Sequence, residues 1–256
     1  MLADVSTHEF FHIITPLTLA SKEVKYFNYD EPVLSKHLWL YEGCTEYTAQ
    51  YIQERFGLIT PEEFFKRLNF KIRFSRKNFK DSLPFTELSK ESAGKYNDQF
   101  SNVYLKGAMI ACCLDIYLLH LSDGKYGLHN LIADLSSKYG MKKPFNDADL
   151  FDEIGKMTYP EIRKFFSDYV ESSTPIPYDY FFNLAGIQYK HPVKDGEVIQ
   201  LANEKSNSKD SNVVHAPAKN NTAMDKLEFA GNATDHQILV RNAWLGSMAN
   251  KPPSTN

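Results

Sequence analysis

The sequence predicts a mainly α fold with little strand, and three observations carry that expectation. Helix-start signals recur: Thr60-Pro61-Glu62-Glu63 sets an N-cap hydroxyl, a proline at the first helical position and a glutamate three residues on, and Thr158-Tyr159-Pro160-Glu161 repeats the pattern. Leu40, Cys44, Tyr47 and Tyr51 recur at three- and four-residue spacing and should form one buried helix face. Residues 101–121 read as the most apolar helix of the chain.

The elements follow in order. Residues 3–14 form a first helix, ended by Pro16, which cannot continue it. Residues 15–35 are irregular. Ser35 is placed to cap a helix from about Lys36 to Phe56, with Gly57 at its end. A helix from Pro61 to about Phe74 comes next, then residues 75–98 as a surface loop. Further helices are expected at 101–121, 127–139, 147–157, 160–170 and 177–184, the last closed by Gly186. Residues 1–190 are thus read as one domain and 191–256 as a flexible tail. Residues 203–223 are rich in Asn, Lys, Ser and Asp, and residues 225–246 regain apolar side chains but are too few to make a domain.

Composition bounds the function. With 256 residues, 43% of them hydrophobic, and with 18 Phe and 15 Tyr, the chain can bury a substantial core. A net charge of −3 supplies no basic field, which argues against nucleic acid as a partner. No apolar run reaches about 18 residues, so no membrane span is expected. Met1 lies only seven residues before His8, leaving no room for a signal peptide, and the compartment stays unassigned. Cys44, Cys112 and Cys113 do not form a disulfide framework, and the adjacent pair reads as core.

The chemistry is concentrated in Thr7-His8-Glu9-Phe10-Phe11-His12. His8 and His12 are four apart, so a helix puts both rings on one face, where they can bind one zinc ion. Glu9 between them can reach a water held there and act as general base. A catalytic zinc takes three protein ligands and keeps one open position, so a third His, Cys or carboxylate is needed from another element. Glu42, in the largely apolar Leu38-Trp39-Leu40-Tyr41-Glu42-Gly43, is the candidate; the competing reading places it on a solvent face. Glu46, one turn later, either orients a histidine ring or is an ordinary solvated glutamate. His37 reads as a partly buried helix residue rather than a ligand.

Together, His8-Glu9-Phe10-Phe11-His12 and Leu38-Trp39-Leu40-Tyr41-Glu42-Gly43 resemble the gluzincin metallopeptidases, and in detail the glycyl aminopeptidase family. Arg55-Phe56-Gly57-Leu58 matches a further segment of that family. The resemblance implies the helical lobe of a thermolysin-like catalytic domain, a zinc cofactor, and a peptide substrate losing small N-terminal residues such as Gly or Ala. It also implies that Tyr104, in Tyr104-Leu105-Lys106-Gly107, stabilises the oxyanion; read from the sequence alone, Tyr104 is a core residue. Lys106 is expected to be structural. Family members carry the sheet of the catalytic domain before the zinc helix, and here it is not seen. The expectation is therefore a helical half-domain in which Phe10, Phe11, Ile13 and Ile14 expose an apolar face to some partner. Two other readings remain: an endopeptidase, which needs no amino-group anchor, and an inactive remnant serving as a binding or structural module.

Overall fold

The computed structural model describes residues 2–139, 143–190 and 226–246. In chain order the elements are α1 (Leu2–Phe11), α2 (Lys22–Lys25), a π-turn (Trp39–Gly43), α3 (Cys44–Arg55), α4 (Pro61–Asn78), α5 (Phe85–Glu91), α6 (Asn102–Leu121), α7 (Leu128–Tyr139), α8 (Leu150–Met157), α9 (Pro160–Tyr169), α10 (Tyr178–Leu184), β1 (Ile187–Lys190), β2 (Lys226–Phe229) and α11 (Asp235–Leu245). The fold is mainly α, as expected, with one antiparallel pair of short strands.

Helix α6 is the axis. Its side chains from Ala108 to Leu114 are all fully buried, because the helix is apolar on every side and is wrapped on every side. The π-turn, α3, α4, α7, α9, α10 and α11 all pack against it. Contrary to the sequence expectation, this 20-residue helix is long and apolar enough to cross a membrane by length and composition. Within the fold, 78% of that stretch is buried by the protein itself, which accounts for its composition.

Local signals explain most helix ends. Thr60 Oγ1 accepts the Glu63 N–H at 3.2 Å, with Pro61 in the first turn. Gly57 takes φ 70° just after α3, a conformation that suits glycine. Thr158 behaves otherwise than expected: its hydroxyl donates to Ile154 O at 2.7 Å and closes α8, while Tyr159 precedes Pro160 at the start of α9. The helix expected from Lys36 also differs. Ser35 donates to Asp147 Oδ1 at 2.9 Å, and the chain enters a wide turn before α3 begins at Cys44. Leu40, Cys44, Tyr47 and Tyr51 are all buried, as their spacing predicts.

Two further readings are corrected. Residues 75–98 are not all loop: α4 runs on to Asn78, and α5 buries Phe85 and Leu88 completely. Lys106, almost fully buried, fixes this region by donating to the backbone oxygens of Asp81 and Leu83. The boundary at residue 190 also fails. β2 pairs with β1 from Ile187↔Phe229 to Lys190↔Lys226, and α11 buries Val240, Trp244 and Leu245 in the main core. Trp244 packs against Phe64, Phe65 and Phe182, and its Nε1–H donates to Tyr47 Oη at 2.7 Å. Tyr47 in turn donates to Asp115 Oδ2 at 2.6 Å. A segment too short to make a domain can still fill a groove in one. The polar stretch 203–223 lies outside the described residues.

Gly43 and Gly107 meet backbone to backbone in the core. A Cβ added at Gly43 would lie 2.4 Å from the carbonyl carbon of Gly107, and one at Gly107 would lie 3.0 Å from the Gly43 Cα. The obstacle is backbone on both sides, so no rotamer change relieves it. Gly43→Ala should therefore destabilise the protein by about 2 kcal/mol or more, the cost of overpacking a tight core. Urea unfolding checks this; an unchanged midpoint would show that the two elements can part without penalty.

Candidate metal centre

Helix α1 carries His8 and Glu9, and His12 stands in the turn just past its end. Among the described residues these three form a group whose ligand atoms all lie within 4.8 Å of one another. Glu42 reaches both rings: its Oε2 stands 3.3 Å from His8 Nε2 and 3.6 Å from His12 Nε2. The wide turn makes this possible. Cys44 N–H bonds to Trp39 O, five residues back, and the expanded loop buries Trp39, Leu40, Tyr41 and Gly43 while turning Glu42 to the cleft.

The other ring nitrogens are both engaged. His8 Nδ1–H donates to Glu46 Oε2 at 3.2 Å, and His12 Nδ1–H donates to Thr15 O at 2.8 Å. Each Nδ1 bond fixes the orientation of its ring, with Nε2 toward Glu42. The donor set fits zinc. Ligands about 2.0–2.1 Å from a tetrahedral ion stand roughly 3.3–3.4 Å apart, close to the two spacings at Glu42 Oε2.

The electrostatics suit a cation. Burial lowers the pKa of His8, but hydrogen bonds to Glu42 and Glu46 outweigh it and raise it to about 9. Burial would raise Glu46, yet His8 and Lys71 hold its carboxyl below the usual range. Tyr104 is half-buried, its ring 5.8 Å from that of His8. Burial and the carboxylates of Glu42, Glu9 and Glu46 push its phenol up to about 12, so it remains an O–H donor. These residues line a cleft of about 720 Å³.

All six residues singled out from the sequence, His8, Glu9, His12, Glu42, Glu46 and Tyr104, thus line one cleft. Lys71, Gln50, Arg67, Asp4 and Thr15 were not singled out, although each contacts the group or its supports. The sequence offered only the four-residue spacing of Arg67 and Lys71, an ordinary feature of a helix face; the near-complete burial of Lys71 belongs to the fold. His37 stands apart as a fully buried residue that orders the π-turn: its Nε2–H donates to Asp147 O at 2.8 Å, and its Nδ1 accepts the Trp39 indole N–H at 3.1 Å. On the outer side of the first helix and the turn after it, Phe10, Ile13 and Ile14 are 63%, 53% and 37% exposed, while Phe11 is half-buried.

A mainly α unit of this arrangement shares its fold with part of a solved aminopeptidase structure. Residues 1–110 match the family described as M61 glycyl aminopeptidase. The fold is similar to the crystal structure of an aminopeptidase N family protein from Idiomarina loihiensis, with a TM-score of 0.68 at 22% identity over 76% of this chain. The chain spans 35% of the length of that protein. No curated protein matches the sequence.

Burial drives His37 down to about 3, against 6.5 for a free histidine. A depressed histidine contributes stability that is present above pH 6.5 and is lost as pH falls toward 3. Below pH 6 it should remove about 1.4 kcal/mol of stability per pH unit. His37→Gln should flatten the stability profile between pH 6 and 4 relative to wild type. Equal slopes in denaturant titrations would show that His37 is protonated at no cost.

Proposed function

We propose that this chain carries the metal- and proton-handling half of a zinc-dependent peptidase, an aminopeptidase acting on peptides with small N-terminal residues such as Gly or Ala. One observation carries the reading: two histidines with anchored Nδ1 atoms turn their Nε2 atoms onto one oxygen of Glu42. The substrate class is supported by the glycyl aminopeptidase match over residues 1–110.

His8, His12 and Glu42 would hold the ion. Zinc, when bound, supplies a Lewis acid that makes water nucleophilic near neutral pH. Glu9, exposed to the cleft beside both histidines, accepts the proton of the attacking water and later returns it to the leaving amine. Tyr104, neutral and facing the same cleft, donates its hydroxyl to the developing oxyanion. Glu46 keeps the His8 ring oriented while charge moves.

The exposed apolar side chains Phe10 and Ile13 favour one rival reading, a binding module that holds the ion but does not turn over substrate. Metal content and turnover together separate the two.

The wild-type chain should bind about one zinc per molecule, and His12→Ala and Glu42→Gln should each lose it. Elemental analysis showing wild-type content in both variants would remove the ligand assignment. Glu9→Gln should keep zinc and lose peptide hydrolysis, since only the base is removed. Tyr104→Phe should lower kcat by about ten- to a thousandfold with KM little changed. Hydrolysis of Gly- and Ala-terminated chromogenic amides is the assay. Zinc without turnover of these or of longer peptides would favour the binding module.

A further inference from the structure

Helix α1 has little apolar attachment to the rest of the chain. Val5 and Phe10 are more than half exposed, and of its side chains from Asp4 to Phe11 only His8 is buried. Charge holds it instead. Asp4 and His8 are four apart on α1, and Arg67 and Lys71 are four apart on α4, so each pair stacks on one helix face. Two polar rungs join the faces. In the first, Arg67 Nη1–H donates to Asp4 Oδ1 at 2.6 Å, and Gln53 Nε2–H donates to the same oxygen at 2.9 Å. In the second, Lys71 pairs with Glu46 Oε1, while Glu46 Oε2 receives the His8 Nδ1–H at 3.2 Å. Gln50 Nε2–H adds a bond to Glu46 Oε1 at 3.1 Å.

The rungs differ in burial and in what they hold. The Lys71 side chain is 6% exposed, against 23% for that of Arg67. A lysine is almost never buried so deeply without a partner. The partner of Lys71 is the carboxylate that sets a ring of the metal group.

We propose that Lys71 is a positioning residue for the metal centre, acting through Glu46 to fix the His8 ring. The proposal rests on the zinc reading above. Without Lys71, a largely buried carboxylate loses its countercharge. Glu46 then turns toward water, and the change releases the His8 Nδ1–H. The ring can rotate about its last side-chain bond, and its Nε2 leaves the line to Glu42. Outer partners of this kind set metal affinity by about 10- to 100-fold. Arg67 secures the far end of α1 and touches no ring, so its removal should cost only a few-fold.

The test is zinc titration of the full chain against a competing chelator, with circular dichroism and urea unfolding on each variant. Lys71→Met should weaken zinc binding by about 10- to 100-fold. Lys71→Arg, which keeps the charge, should bind within a few-fold of wild type. In a Glu46→Gln background, Lys71→Met should add little, because the path it uses is already broken. The visible spectrum of the cobalt-loaded protein should change in Lys71→Met and not in Lys71→Arg, a signature that general loosening of the fold does not predict. If Lys71→Met does not fold, Lys71→Gln, which keeps a donor but drops the charge, takes its place in the same comparison. Unchanged affinity in the charge-removing variant overturns the proposal. So does an equal loss in the Glu46→Gln background. Wild-type protein that binds no zinc fails earlier, at the metal reading itself.

Discussion

Backbone contact between Gly43 and Gly107 is the constraint on which the rest of the structure depends. Each glycine closes a sequence motif whose polar residue faces the cleft, Glu42 in one and Tyr104 in the other. With no side chain between them, the π-turn and α6 meet so closely that an added Cβ on either glycine would strike the other's backbone. The carboxylate and the phenol therefore belong to one rigid body. The surroundings reinforce it: Trp39 lies on Phe166 and Phe151, Phe85 packs beside Gly107, and Lys106 ties α6 to the segment before α5. Interiors packed this tightly transmit displacement rather than absorb it. A shift of α6 would be felt at Glu42 without passing through any flexible element.

The first helix is supported in a different way. Its partners are ions and hydrogen bonds, at Asp4 with Arg67 and at His8 with Glu46 and Lys71. Such contacts demand geometry and tolerate little misalignment, whereas apolar burial is non-directional. The cleft therefore joins a wall fixed by packing to a wall fixed by directed bonds. The groups that dock α1 are also those that orient its histidine, so helix docking and the setting of the His8 ring draw on the same interactions.

Much of the site was legible in the sequence because helical spacing is local. His8, Glu9 and His12 need only one turn to converge, and the fold class followed from capping signals and apolar period. Glu42 was reached through its apolar setting and the family resemblance, but the wide turn that aims it was not. Ser35 reads as a helix cap, and its Oγ does accept the His37 N–H at 3.1 Å, but the bond that its hydroxyl donates to Asp147, 112 positions away in the chain, was not legible. Lys71 was invisible for the same reason: its partner is fixed by helix packing, not by spacing. The segment around Trp244 was misread because composition asks whether a stretch can fold alone, not whether it completes something else. Helix α6 was legible almost to its ends, 101–121 in the sequence against Asn102–Leu121 in the structure, but how it accommodates Lys106 and Asp115 was not. Both are buried and paired within the fold, Lys106 to backbone oxygens and Asp115 to Tyr47 and Leu128.

The bond from Trp244 to Tyr47 spans 197 positions of the chain. Tyr47 stands next to Glu46 on α3, and its other hydrogen bond runs to the middle of α6. Until Trp244 arrives, the groove among Phe64, Phe65 and Phe182 has no filling and the Tyr47 hydroxyl lacks a donor. Contacts this distant in sequence form late, since a long loop must close before they reward it. On the ribosome, then, the histidine helix emerges well before the tryptophan that completes its supporting scaffold. A nascent chain carries His8, His12 and Glu42 through the intervening synthesis without the packing that Trp244 contributes. The position of one tryptophan thus acts as a timer on when that site matures.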